Sequence, residues 1–222
     1  MNSNKDDLEL KKSLSKYWPA GKDFHSSSIS FIKRYQNKII VIKYGGYAMT
    51  KNSLIKSFSK NIALLNKVGI KTVVIHGGGP QIEAELKKRK IKDNEYQGLR
   101  VTTASILKIV KSILSKKLNK IIALELNKFG QIAKRVDGIS MRVIHAKITL
   151  NGNIGYVGEP TKLDKKAINN IIKDKKVPII APIGYTRNGT CLNINADTAA
   201  AFIAETLKAE RLLLLTDVEG VL

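Results

Sequence analysis

Thr72-Val73-Val74-Ile75-His76-Gly77-Gly78-Gly79-Pro80 decides how the rest of the chain is read. Its first four residues form an unbroken β-branched run, the pattern of a strand buried on both faces. Three glycines then make a turn, and Pro80 suits the first turn of a helix, expected to run to about Arg89. The same unit stands thirty-odd residues earlier. Ile39-Ile40-Val41-Ile42 is a second buried strand, followed by Lys43-Tyr44-Gly45-Gly46. Leu54, Ile55, Phe58, Ile62 and Leu65 then share one helical face, and Gly69 is placed to end that helix.

Downstream, Ile106, Ile109, Val110, Ile113 and Leu114 mark a helix expected to continue to Leu126. Residues 128–160 carry more glycine and turn pairs, including Asp137-Gly138 and Asn151-Gly152, and read as short strands and hairpins lying over the sheet. A helix near Asp164–Lys173 leads to a strand over Val177–Ile183, with a turn at Asn188-Gly189. A helix from about Asp197 to Ala209 precedes the strand Leu212–Leu215. Such alternation implies an α/β fold with a mostly parallel central sheet. Residues 1–30 are polar, with Pro19, Gly21 and a serine run, and read as an N-terminal arm with a short helix at Leu8–Tyr17.

Composition narrows the function classes. No apolar run approaches the roughly 20 residues needed to span a membrane, and MNSNKDDLELKKSLSK has no apolar stretch, so it is not a secretory signal. The single cysteine, Cys191, excludes an internal disulfide and fits a reducing compartment, so the cytoplasm is the expected location. The net charge of +21 raises a nucleic-acid partner. Most of the basic residues are lysines scattered from Lys5 to Lys208, however, which reads better as solvated helix faces with a general attraction for anions. No zinc-ligand pattern or aromatic ribonucleoprotein motif appears, so neither a nucleic acid nor a protein-held metal is expected.

In an open parallel sheet the two glycine turns lie at the carboxyl edge of the strands, where ligands bind. Glycines there let backbone N–H groups approach an anion, and the following helix N-terminus adds favourable partial charge. Lys43 supplies a full positive charge beside the first turn. The pattern suits phosphate transfer from a nucleotide, although any αβ sheet also needs tight turns. The chain has neither G-x-x-x-x-G-K-[ST] nor the third glycine of G-x-G-x-x-G, and the protein-kinase motifs are missing. Arg100, in Gln97-Gly98-Leu99-Arg100-Val101-Thr102, can grip a carboxylate bidentately or make a plain loop salt bridge. Asn193-Ile194-Asn195-Ala196-Asp197 precedes a helix and is readable as a cap or as part of a site.

Together these strings resemble the amino-acid kinase superfamily and, within it, the acetylglutamate kinases. The resemblance runs from about Ile29 to Leu222. It rests on Val41–Met49, Val74–Ile82, Gly98–Thr102, Gly155–Gly158, Asn193–Ala200 and Leu215–Leu222. It implies a three-layer sandwich, the amino-acid kinase fold, with an acetylglutamate-binding domain over 31–190 and an ATP-binding domain beginning at 191–222. The implied reaction moves the γ-phosphoryl group of ATP, carried with Mg2+, to the side-chain carboxylate of N-acetyl-L-glutamate, a step of arginine biosynthesis. By similarity, Lys43 neutralises charge on the transferring group and Asp197 orients that lysine. Gly45, Gly46 and Gly78 amides hold phosphate oxygens, and Gly78, Gly79, Arg100 and Asn193 hold the acetylglutamate. Asp217, Val218, Glu219, Gly220, Val221 and Leu222 begin the nucleotide site.

Family members continue beyond the position of Leu222, through a portion that carries a second catalytic lysine and most adenine contacts. The ATP-binding domain is therefore read as incomplete here, and the 222-residue chain is expected to show at most trace activity by itself. Two other readings stay open. One is an amino-acid kinase with another carboxylate or carbamate acceptor. The other is an inactive acetylglutamate-binding or assembly partner. The arm, leading through Ile29-Ser30-Phe31-Ile32-Lys33-Arg34-Tyr35, resembles those of relatives that form larger homo-oligomers.

Overall fold

The computed structural model describes residues 26–215, so the helix expected at Leu8–Tyr17 and the string Asp217–Leu222 lie outside the described residues. In chain order the elements are α1 (Ser26–Tyr35), β1 (Ile39–Tyr44), a 3-10 turn (Gly46–Met49), α2 (Asn52–Lys67), β2 (Lys71–His76) and α3 (Gly79–Lys88). A short hairpin of β3 (Glu95–Tyr96) and β4 (Leu99–Arg100) follows. Next comes a long helical rod made of α4 (Ala104–Lys111), a π-helical stretch (Ser112–Leu118) and α5 (Asn119–Asn127). The remaining elements are β5 (Ala133–Val136), β6 (Ile144–Ile148), β7 (Val157–Leu163), α6 (Lys165–Lys173), β8 (Val177–Ile180), β9 (Ile183–Tyr185), β10 (Cys191–Ile194), α7 (Ala196–Thr206) and β11 (Arg211–Leu215).

The main sheet has five strands in the order β11-β1-β2-β8-β5, and every pairing in it is parallel. Period-two alternation splits its side chains between two cores. Ile40, Ile42, Tyr44, Val74, Val177 and Ile179 meet α2, α3 and the long rod on one face. Val41, Val73, Ile75, Val136 and Ile180 meet α6 and α7 on the other. The result is a three-layer αβα sandwich, as the strand–helix alternation implied. Burying both faces explains why the strands read as unbroken apolar runs. Among the described residues no helix is long and apolar enough to cross a membrane.

Four expectations change. Residues 128–160 do not all lie over the sheet, because Ala133–Val136 pairs in parallel with Val177–Ile180 and forms an edge of the main sheet. A four-residue edge strand with charged Lys134 and Arg135 lacks the β-branched run that revealed β1 and β2. The strand expected over Val177–Ile183 divides at Ala181-Pro182, since proline donates no ladder hydrogen bond. Its second half enters a separate barrel of β10, β7, β6 and β9. The last helix ends at Thr206 rather than Ala209. Leu54 proves exposed, and Ser59 and Ala63 take the buried face of α2 beside Ile55, Phe58 and Ile62. That helix stops at Gly69 (φ 83°) with Ile70 N–H on Leu65 O and Gly69 N–H on Asn66 O, the paired closing bonds of a glycine-terminated helix.

The barrel is sewn to the hairpin at one crowded point. Thr102 N–H donates to Ile154 O, and Tyr156 N–H donates back to Thr102 O at 2.7 Å. Gly155 sits between them at φ 75°, and a Cβ there would press into the Thr102 carbonyl oxygen. Gly155→Ala is expected to cost roughly 2–4 kcal/mol, from left-handed backbone strain plus displacement of that carbonyl. Urea denaturation checks it. A midpoint equal to that of the wild type would contradict the crowding.

Candidate active site

β1 and β2 are neighbours in register, with Tyr44 opposite His76, so the turns that follow them emerge side by side. Gly77 N–H donates to Tyr44 O at 2.7 Å, tying the second turn to the end of the first strand. A Cβ on Gly77 would lie 3.6 Å from the Gly45 Cα. Both turns are also held from outside. The buried Tyr44 donates its hydroxyl to Ala48 O at 2.6 Å and stacks on Phe58 with ring centroids 3.7 Å apart. Gln81 Nε2 donates to Met49 O at 3.1 Å. The glycine backbone therefore faces the ligand side on a rigid mount.

The turns open on a cleft of about 270 Å³. Lys43, Gly45, Gly46, Gly78 and Gly79 line it, together with Asp197, Arg100 and Asn193. The structure thus brings together every site residue named from the sequence that falls within the described residues, whereas Asp217–Leu222 lie beyond them. Lys43 Nζ stands 3.1 Å from Asp197 Oδ1, with the lysine side chain only 15% exposed and the aspartate 51% exposed. Asn195 caps α7 by accepting from the N–H groups of Asp197 and Thr198. Asp197 sits in the first turn of that helix, where a carboxylate is favoured. The lysine folds back over Gly45, whose absent Cβ would come 2.9 Å from Lys43 Cε. Glycine at that position leaves room for the lysine stem.

Arg100 ends the hairpin opposite. Its Nε and Nη2 donate to the two carboxylate oxygens of Asp93 at 2.7 and 2.8 Å, a bidentate pair that fixes the guanidinium plane. So the arginine does make a salt bridge and also lines the cleft. The hairpin turns through Gln97 and Gly98, both with positive φ (49° and 73°), which suits a two-residue connection. Thr102 Oγ1 donates to Arg100 O, and Asn193 Nδ2 donates to Thr102 Oγ1 at 3.2 Å. One short chain of hydrogen bonds therefore spaces Arg100 and Asn193. Asp93 was not evident from the sequence. Its partner lies seven residues on, and only the tight Gln97-Gly98 turn hinted that the chain doubles back between them.

His76, at the foot of the second turn, is fully buried. Burial pushes its pKa down to about 4, only partly opposed by its bond to the Gly77 carbonyl. It is neutral when folded, and takes a proton near pH 6.5 when unfolded.

Comparison with known proteins fits this geometry. The model of the Amino acid kinase family matches residues 38–222. An acetylglutamate kinase from Ruegeria pomeroyi is 39% identical over 210 residues, covering 95% of this chain and 73% of the relative. One from Clostridium acetobutylicum is 43% identical over 199 residues, covering 87% of this chain and 68% of the relative. The crystal structure of smu.665 from Streptococcus mutans superimposes with a TM-score of 0.76 at 33% identity, over 83% of this chain and 74% of that one. The chain belongs to the amino acid kinase family and, within it, to the acetylglutamate kinases.

Two outcomes follow from the site. A Cβ on Gly79 would meet nothing within 4 Å, so packing does not require glycine there. Gly79→Ala should leave the melting temperature within about 2 °C of wild type while weakening the anionic ligand measurably in calorimetry. Unchanged affinity would show that the ligand keeps clear of this backbone. For His76, the folded pKa lies below the unfolded one, so its stabilising contribution is complete above about pH 6.5 and is lost as pH falls toward 4. The loss should approach about 3 kcal/mol, read as the difference between wild-type and His76→Asn chains in urea titrations at the two ends of that window.

Proposed function

We propose that this site phosphorylates the side-chain carboxylate of N-acetyl-L-glutamate with ATP, a step of arginine biosynthesis. The observation that supports it most is the Lys43–Asp197 pair at 3.1 Å, set between two glycine turns and facing Arg100 across one small cleft. That cleft suits a small dianionic acid and a phosphoryl group rather than a whole nucleotide.

Arg100, its plane set by Asp93, takes the α-carboxylate of the acceptor, and Asn193 and the Gly78 and Gly79 amides hold the rest of that molecule. An oxygen of the acceptor side-chain carboxylate attacks the γ-phosphorus. The bond from that phosphorus to the β-phosphate oxygen breaks, ADP leaves, and an acyl phosphate remains. The acceptor is already ionised near neutral pH, so the step needs no general base. Charge spreads over the phosphoryl oxygens as the bonds exchange, and Lys43 with the Gly45 and Gly46 amides neutralises it. Asp197 holds the lysine ammonium in place at the cleft.

The ATP is read as approaching from the end of β11. Leu215 is level with Tyr44 in the sheet, so β11 ends at the edge that carries the first glycine turn. On this reading 191–222 begin the nucleotide portion and 31–190 hold the acceptor. Among the described residues no group of three His, Cys, Asp or Glu side chains could hold a metal, and the Asp197 carboxylate is engaged by Lys43. The site by itself therefore does not fit a protein-held Mg2+. The ion is read as arriving on the ATP phosphates. A homo-oligomer built through the N-terminal arm and a cytoplasmic location complete the proposal.

Calorimetry with N-acetyl-L-glutamate, and with L-glutamate as comparator, tests the acceptor. The acetylated acid should bind more tightly, and Arg100→Ala should weaken it by about 1–3 kcal/mol. Equal affinity for the two acids would contradict the assignment. Where turnover is followed by trapping the acyl phosphate with hydroxylamine, Lys43→Met should lower kcat on the order of a hundredfold to a thousandfold, with a much smaller change in KM.

A further inference from the structure

Below the second glycine turn lies a set of polar contacts, buried at His76 and Asn119 and partly exposed at Arg135, that the proposed chemistry leaves unused. Arg135, on edge strand β5, donates from Nε to Asn119 Oδ1 at 3.0 Å and from Nη2 to Ser115 O at 2.8 Å. Asn119 is wholly buried, and its Nδ2 lies 2.8 Å from Ile179 O and 3.3 Å from His76 Nε2. His76 Nδ1 lies 2.9 Å from Gly77 O.

These contacts permit one direction of donation. A guanidinium only donates, so the atom of Asn119 facing Arg135 must be its oxygen. The amide nitrogen then faces His76, which makes Nε2 an acceptor and leaves the single ring proton on Nδ1. Nδ1–H donates to the Gly77 carbonyl. In a trans peptide the C=O and the next N–H point in opposite directions, and the described residues contain no cis bond. A carbonyl drawn down to the buried histidine thus turns the Gly78 N–H up and away from it. Among the described residues no acceptor takes that N–H, and Gly78 lines the cleft.

The same arginine secures the adjoining wall. Asn119 closes the π-helical turn, its N–H donating to Leu114 O five residues back. Widened turns of this kind collect at functional sites. Leu114 and Leu118, from the widened stretch, abut Gly78 so closely that a Cβ there would lie 2.5 and 2.8 Å from their methyl carbons. Arg135 therefore holds Ser115 of the wall and Asn119 beneath the floor with one planar group.

We propose that Arg135, Asn119 and His76 act as positioning residues, forming a one-way hydrogen-bond relay that fixes the Gly77–Gly78 peptide and presents the Gly78 N–H to the bound anion. The relay deepens the functional reading above and rests on it for the identity of that anion, N-acetyl-L-glutamate. The relay itself is a property of the unliganded chain.

Nitrogen-15 spectra of the histidine rings near neutral pH test it without any variant of the site, the His76 signals being assigned by their loss in His76→Gln. The expected result is a protonated Nδ1 and a bare Nε2. A proton on Nε2 overturns the relay. Two variants then test its effect. His76→Asn places an amide donor where Nδ1 stood, whereas His76→Leu conserves apolar volume and cannot donate. A purely structural histidine would be replaced better by leucine. The relay predicts the reverse for binding, with His76→Asn near wild type and His76→Leu down about tenfold, the scale of one oriented hydrogen bond. Arg135→Met, at a side chain 38% exposed, should fold, keep the proton on Nδ1 because Asn119 Nδ2 still donates to Ile179 O, and lose affinity. Affinities that follow the stability order, or an Arg135→Met chain with unchanged binding, overturn the proposal. A wild-type chain that fails to bind N-acetyl-L-glutamate overturns the functional reading instead, while the ring spectrum still decides the relay.

Discussion

Parallel pairing of β1 with β2 is the constraint from which the site follows. Because Tyr44 and His76 stand opposite each other, Lys43, Gly45 and the three glycines after His76 reach the same edge of the sheet without any long-range search. The bond from Gly77 N–H to Tyr44 O then locks the turns together. Burial does the rest. Val41, Val73, Val74 and Ile75 are fully enclosed, so the strands cannot slip by a residue without turning buried side chains to the wrong layer. The precision of the cleft is thus inherited from two cores that have no chemical role.

The opposite wall is made differently. Arg100 comes from a two-stranded hairpin with no buried side chain of its own, and Asn193 from a barrel strand between the buried Leu192 and Ile194. They are placed by a short run of polar contacts, from Asp93 to Arg100 and from Thr102 to Asn193. The glycine turns and the barrel are rigid through packing, whereas the hairpin is held by a few hydrogen bonds. Opening of the site belongs to the hairpin, since regions held by few apolar contacts open at the lowest cost.

Legibility in the sequence divides along the same line. β1, β2 and the helices after them announced themselves because strands buried on both faces must be apolar throughout, and glycine-rich turns after such strands have few other uses. Lys43, Arg100, Asn193 and Asp197 were nameable because their strings match a known family. Asp93, Asn119 and Arg135 were not, since each matters through a partner 7 to 60 residues away that only the folded topology supplies. The place of β5 in the main sheet was missed for a related reason. An edge strand needs fewer apolar residues, and Lys134 and Arg135 conceal it. The widened helix, by contrast, did leave a trace. Ile106, Val110, Leu114, Leu118, Ile122 and Leu126 are buried at an unvarying spacing of four. In a regular α-helix that stripe would drift by about 40° per step, or about 200° over its length, so a stripe that stays on one core requires an underwound turn.

That widened stretch also sets where the pocket is most sensitive to change. A turn closed between Leu114 and Asn119 holds one residue more than an α-helical turn, while α4 before it and α5 after it keep their faces on the same core. The widened stretch supplies the wall beside Gly78 and the carbonyl that Arg135 holds. A change of chain length there would reach the catalytic pocket before it reached the sheet.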